Sequence, residues 1–128
     1  MWQFLAGLAQ QLPAEAAHKL AVETLRWRIG PRPPVGHAST DLRVSLAGLE
    51  FPNPLGLAAG FDKNAVAIRP ISNLGFGFLE VGAVTPEPQS GNPKPRVFRL
   101  KSEKAIVNHY GFNNDGMLKI NHRLKKFN

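Results

Sequence analysis

Three short stretches carry side chains able to do chemistry. The first is Leu57-Ala58-Ala59-Gly60-Phe61-Asp62-Lys63, where a small-apolar run closes on glycine and a lysine follows three residues later. Small residues at a strand end let a flat ring or a phosphate approach the backbone with no Cβ in the way. A lysine at the C-terminal end of a barrel strand faces the side on which such folds do chemistry. There it is a cation for a carboxylate or for the electron-rich edge of a flavin. A tight turn at Gly60 with a solvated Lys63 is an equal reading of this stretch alone. The second stretch, Gly82-Ala83-Val84-Thr85-Pro86, ends another apolar run and by itself reads as a turn. The third is Asn108-His109-Tyr110-Gly111-Phe112-Asn113-Asn114, with three amides, an aromatic pair and no alternating pattern. Each asparagine offers a donor and an acceptor, which suits the edge of a pyrimidine-like ring. A ligand-binding loop is favoured there over a plain Asn-rich turn.

These stretches need elements to hold them. Leu55–Gly60 reads as a strand buried on both faces. Ala65–Leu74 reads as a helix with Pro70 inside it and Gly75 at its end, and Phe78–Ala83 as a second buried strand. Strand, helix and strand within about thirty residues make a βαβ unit and a parallel sheet, which puts the first two stretches on one rim. Pro86–Pro95 is a loop, and Arg96–Leu100 and Ala105–Asn108 are candidate strands. A helix begins at Met117, with Met117, Ile120, Leu124 and Phe127 inward and Lys119, Arg123, Lys125 and Lys126 outward. Upstream, Leu42, Val44 and Leu46 alternate as in a half-buried strand, and Ala47-Gly48 turns the chain into Leu49 and Phe51 as a hairpin.

Residues 31–41 form a linker, proline-rich over Pro31–Ser39. Before it, Trp2, Phe4, Leu5, Leu8, Ala9 and Leu12 recur at helical spacing. Pro13 opens a second helix that runs to about Ile29 and stops at Gly30-Pro31, with Glu15, Lys19, Glu23 and Arg26 on one polar stripe. Helices this apolar cover a core or lie among lipid headgroups, and the pattern alone favours the core.

Composition narrows the function classes. Among 128 residues 43% are apolar and 20% charged, the mix of a folded chain. Cysteine is absent, so disulfides and thiolate metal sites are excluded. The four histidines, His18, His37, His109 and His122, lack the short spacings of metal ligands, and no metal is expected. A net charge of +7 suits an anionic partner. Nucleic acid is not expected, because the cations do not alternate with aromatics and no nucleic-acid motif is present. Residues 1–12 carry no charge, so a secretory leader with a basic start is not expected, and no apolar run reaches the ~20 residues of a membrane span. The chain is expected in the cytoplasm or on a membrane surface. One βαβ unit does not close a barrel of typically ~250 residues, so the chain is expected to be incomplete.

The order Ala58-Ala59-Gly60-Phe61-Asp62-Lys63, then the block from Gly75 to Pro86, then Gly91-Asn92-Pro93-Lys94-Pro95-Arg96-Val97-Phe98-Arg99-Leu100, then Asn108–Asn114 closely resembles dihydroorotate dehydrogenases. With Pro13-Ala14-Glu15-Ala16-Ala17-His18 ahead of it, the chain is similar to the quinone-dependent, membrane-associated class. The resemblance implies an α/β fold: the front of a (β/α)8 TIM barrel over residues 42–128, truncated, behind a membrane- and quinone-facing helix pair over residues 1–30. It implies FMN as cofactor, dihydroorotate as substrate and orotate as product in pyrimidine biosynthesis, with a membrane quinone as acceptor. It places the protein peripherally on the cytoplasmic side of the inner membrane. Carried over by residue, Ala59, Gly60, Phe61, Asp62, Lys63 and Ala83 would line FMN. Lys63, Asn108, His109, Tyr110, Gly111 and Phe112 would hold substrate, and His18 and Arg99 would lie along a quinone tunnel. Ala83 departs from the family's usual hydroxyl residue. The family's serine base and glycine-rich phosphate loops would fall beyond Asn128, so these 128 residues alone are expected to show no turnover. The alternative is a non-catalytic binding or assembly module derived from the front of the barrel.

Overall fold

The computed structural model describes residues 7–30 and 40–127. Residues 2–6 of the helix expected over 2–12 and nearly all of the linker lie outside them; of the rest, residues 7–9 are helical. None of the described helices is long and apolar enough to cross a membrane.

Helix α1 spans Ala14–Arg26, with Pro13 at its N-cap. It ends three residues earlier than the Gly30-Pro31 signal implies. Arg28 takes the left-handed conformation at φ 58°. Arg28 N–H then donates to Leu25 O at 2.8 Å and Ile29 N–H to Thr24 O at 2.8 Å, so a Schellman motif closes the helix without glycine. Of the polar stripe, Glu15 is only partly exposed and turns onto Arg96. Ala17 is buried, while Leu20, Trp27 and Ile29 are exposed.

Strands β1 (Val44–Leu46) and β2 (Leu49–Phe51) pair antiparallel. Ala47 and Gly48 both have positive φ, 51° and 77°, as a two-residue type I′ turn requires. The half-buried pattern expected of this hairpin is not met, because Leu42, Val44, Leu46 and Leu49 are all exposed. At its end the hairpin meets the body, where the Phe51 ring sits edge-on to Phe78 at 5.5 Å.

Strand β3 (Gly56–Leu57), helix α2 (Ile68–Ser72) and strand β4 (Phe78–Leu79) form the βαβ unit, with Gly56 opposite Phe78 and Leu57 opposite Leu79 in parallel. The strands are two residues long and only part-buried, not the longer, doubly covered runs the sequence suggests. A two-stranded sheet has too little on either face to bury them. Gly56 packs closely under the Phe78 ring, since a Cβ there would lie 2.1 Å from it and displace the ring. Helix α2 starts at Ile68 rather than Ala65 for a local reason. Ala65 is left-handed at φ 56°, and the Asp62 carboxylate accepts the N–H groups of Val66 at 2.9 Å and Ala67 at 2.7 Å.

Strands β5 (Val97–Leu100) and β6 (Ala105–Asn108) pair antiparallel, and helix α3 spans Met117–Lys125. The face of α3 differs from its pattern. Ile120 is buried, but Met117 and Phe127 are exposed, and Arg123 turns partly inward. The Arg123 guanidinium reaches the Asp115 carboxylate at 2.6 Å and Asn64 O at 2.9 Å. Among the described residues the buried apolar core is small: Ala17, Ala65, Ala67, Ile71 and Ile120.

Candidate functional site

The site is held by polar atoms. Asn92 donates from its side chain to His109 O at 2.6 Å and from its backbone to Tyr110 O at 2.9 Å. Gln89 donates to Gly111 O at 2.8 Å, and Asn114 to Phe112 O at 2.7 Å. Four successive carbonyls are thereby satisfied, leaving the side chains of Asn108–Asn113 free to line a cleft. The two loops interlock at glycines. A Cβ on Gly91 would lie 2.1 Å from Tyr110 O, and one on Gly111 would lie 2.8 Å from Asn92 N. Phe112 is held at φ 54°, a costly conformation for an aromatic residue, with its ring exposed. Buried Asn114 is the hub: its amide donates to Thr85 Oγ1 at 2.8 Å, and its carbonyl accepts Gly116 N–H at 2.9 Å.

An inner cleft of about 650 Å³ opens between this loop and the βαβ rim. It gathers Ala59, Gly60, Lys63 and Ala83 from the rim and Asn108, His109, Tyr110, Gly111 and Phe112 from the loop. Gly60, at φ +106°, adopts a backbone conformation that suits glycine, and a Cβ there would meet no atom within 4 Å. Lys63 Nζ donates to Asn113 Oδ1 at 3.0 Å and stands 3.0 Å from the Tyr110 ring centroid, a cation–π contact. Burial, and then repulsion from Arg96, holds its pKa below the usual lysine range, with Glu15 partly opposing. His109 also stacks on Phe98, with centroids 5.9 Å apart.

A second, outer cleft of about 670 Å³ lies under α1, lined by Glu15, His18, Val22, Phe61 and Arg96 among others. Lys63, Tyr110 and Asn113 line both clefts and so form their shared wall. His18 Nε2 lies 2.6 Å from Phe61 O, which can only accept, so Nε2 carries the proton. Nδ1 faces the Tyr110 hydroxyl at 3.4 Å. Arg96 is 7% exposed. It donates to Glu15 at 2.8 Å from Nη2 and at 3.2 Å from Nε, and from Nη1 to Ser90 O at 2.7 Å and Asn92 O at 2.9 Å. The Arg96 hydrogen bonds hold the Glu15 carboxyl below its ordinary value against the opposing effect of burial, and Lys94 at 3.5 Å adds to the lowering. Burial pushes the Tyr110 phenol up, aided by Glu15.

Three residues assigned from the resemblance lie elsewhere. The Asp62 carboxylate caps backbone N–H groups and lines neither cleft. Phe61 is on the outer cleft, not the inner. Arg99 donates to Gln10 O at 3.1 Å and to Leu12 O, tying β5 to the chain before α1, and lines neither cleft. The resemblance gave no role to Glu15, Arg96 or Asn113. Asn113 was visible within the third amide-rich stretch, whereas nothing local pairs Glu15 with Arg96.

A βαβ rim of small residues, one desolvated lysine and a braced amide-rich loop define an α/β protein built around a ligand-sized cleft at its strand ends. The chain belongs to the dihydroorotate dehydrogenase family, whose model matches residues 41–128. It is 51% identical over 123 residues to the dihydroorotate dehydrogenase (quinone) of Rhodopseudomonas palustris strain HaA2, covering 94% of this chain and 33% of that protein. It is 47% identical to the mitochondrial dihydroorotate dehydrogenase (quinone) of Mus musculus, covering 94% of this chain and 30% of that one. Among solved structures, the ferulenol complex of DHODH from Eimeria tenella matches with a TM-score of 0.83 at 45% identity, over 88% of this chain and 30% of that chain. The chain thus spans about a third of the length of the curated relatives it matches.

Proposed function

We propose that the protein carrying this chain oxidises (S)-dihydroorotate to orotate in pyrimidine biosynthesis, using FMN and a membrane quinone, and that these residues form the front of a (β/α)8 barrel. The observation that carries this reading is the convergence of nine residues assigned to cofactor and substrate on one cleft. Its volume, about 650 Å³, is in the range of small-molecule sites. The rim fits a flat cofactor: Ala59, Gly60 and Ala83 present backbone and methyl groups, and the space beside Gly60 is open. FMN, when bound, supplies a two-electron acceptor for the substrate's hydride. With alanine at position 83, any contact there is made by backbone rather than by a hydroxyl.

The chain's own residues bind and orient. Lys63 meets the substrate carboxylate with its ammonium, and the Tyr110 ring beneath it keeps water from that face. Asn108 and Asn113 present donors and acceptors to the amide edges of a dihydropyrimidine ring. The outer cleft, with His18 at its wall, receives the quinone. The exposed Leu20, Trp27 and Ile29 of the α1 region support peripheral contact with a membrane, proposed to be the cytoplasmic side of the inner membrane. On their own these 128 residues are proposed to show no turnover and weak or no FMN retention.

The test uses the protein purified as its gene encodes it. Anaerobic addition of dihydroorotate bleaches the flavin absorbance, and quinone restores it with release of orotate. A flavin that stays oxidised under dihydroorotate overturns the assignment. Co-sedimentation with anionic vesicles checks the membrane contact.

A further inference from the structure

One ring separates the two clefts. The Tyr110 ring carries the Lys63 ammonium at 3.0 Å from its centroid and the Arg96 guanidinium carbon at 5.2 Å. Two cations beside one ring repel each other, and the carboxylate that meets Arg96 comes from α1: Glu15, at 2.8 Å and 3.2 Å. Arg96 acts a second time through the brace. It holds the carbonyls of Ser90 and Asn92, and Asn92 in turn holds the carbonyls of His109 and Tyr110. Arg96 is nearly enclosed and its planar fork is filled on both edges, so its position follows Glu15 closely.

We propose that Glu15 and Arg96 are positioning residues for the inner cleft. Docking of α1 through this pair sets the Tyr110 ring and, with it, the Lys63 ammonium, so a displacement of α1 loosens the hold on an anion in the other cleft. The inference rests on the reading of the inner cleft as the substrate site. It has a sign that charge alone does not. Glu15 is a negative charge near an anion site, so an effect purely through space would make its removal tighten anion binding. Positioning predicts the reverse.

The experiment measures orotate binding by calorimetry on the intact protein, independently of turnover. Glu15→Gln, close in shape, is expected to bind orotate about five-fold more weakly than the unaltered protein. Glu23→Gln lies on the same helix, lines the outer cleft but not the inner one and pairs with Arg26 instead of Arg96, and is expected to match the unaltered protein in orotate binding. Arg96→Lys keeps the charge and loses the fork. It should weaken binding at least as much, and adding Glu15→Gln to it should weaken binding no further. Unchanged or tighter binding by Glu15→Gln, or full additivity of the two substitutions, overturns the proposal alone. An unaltered protein that ignores orotate overturns the reading of the cleft and this inference with it.

Discussion

The loop pair 86–114 and the hairpin β1–β2 both lie away from the small apolar core, yet they are built in opposite ways. The loop pair is ordered by polar atoms, with four successive carbonyls and a buried amide each satisfied by a named donor or acceptor. The hairpin alternates leucines and valine that stand open to solvent, with its ladder and an edge contact from Phe51 to hold it. Hydrogen bonds complete within thirty residues fix geometry wherever that stretch is placed. Apolar alternation fixes only which side chains want cover and leaves the cover to be supplied.

Substitutions in the two regions should separate accordingly. The largest effect belongs to Lys63→Ala, expected to weaken orotate binding about 100-fold by calorimetry, since a charge-assisted contact is lost. A loss under about three-fold would detach the braced loop from ligand binding. Next, Asn114→Ala should lower unfolding stability by about 2–3 kcal/mol in a urea titration, because it orphans several part-buried partners and the buried Gly116 N–H at once. Leu46→Ser on the hairpin should stay within about 0.5 kcal/mol. Equal costs at the two sites would mean that the hairpin face is covered and the contrast is false. Asp62→Ala should cost about 1–2 kcal/mol, the value of a lost cap on Val66 and Ala67.

The smallest effect is set by pH. The folded-state pKa of Glu15 is lowered, first by hydrogen bonds from Arg96. Its contribution to α1 docking is therefore fully present above the ordinary carboxylate pKa and lost as pH falls through the lowered folded value. Unfolding midpoints taken from neutral pH down to about pH 3 should show this loss in the unaltered protein and not in Glu15→Gln. A parallel loss in both would assign the acid sensitivity to other carboxylates.

Much of the site was legible in the sequence because its logic is local. Glycine where backbone must approach, small residues at a strand end, and amides without alternation all announce themselves within a few residues. The βαβ order follows from the same kind of signal, and it puts Lys63 and Ala83 on one rim. What was not legible depends on distance or on a single dihedral. The helical period of α1 gives the angles between Glu15, Lys19 and Glu23 but not which of them meets an arginine 81 residues away. The same ambiguity misplaced Arg123, whose partner Asn64 lies 59 residues upstream. The late start of α2 rests on Ala65 at φ 56°, which its residue type does not announce.

The interlock of Gly91 and Gly111 bears on how the chain tolerates changes in length. The bridge between Gln89 and Asn114 and the bonds from Asn92 all depend on one alignment of the two loops. A single inserted or deleted residue in 86–95 would shift that alignment and release several braces together. The turn at 101–104 is exposed and joins two antiparallel strands, so an insertion there only lengthens a protruding loop. Insertions and deletions compatible with folding should therefore accumulate in the second segment and be purged from the first, a register lock written in two glycines.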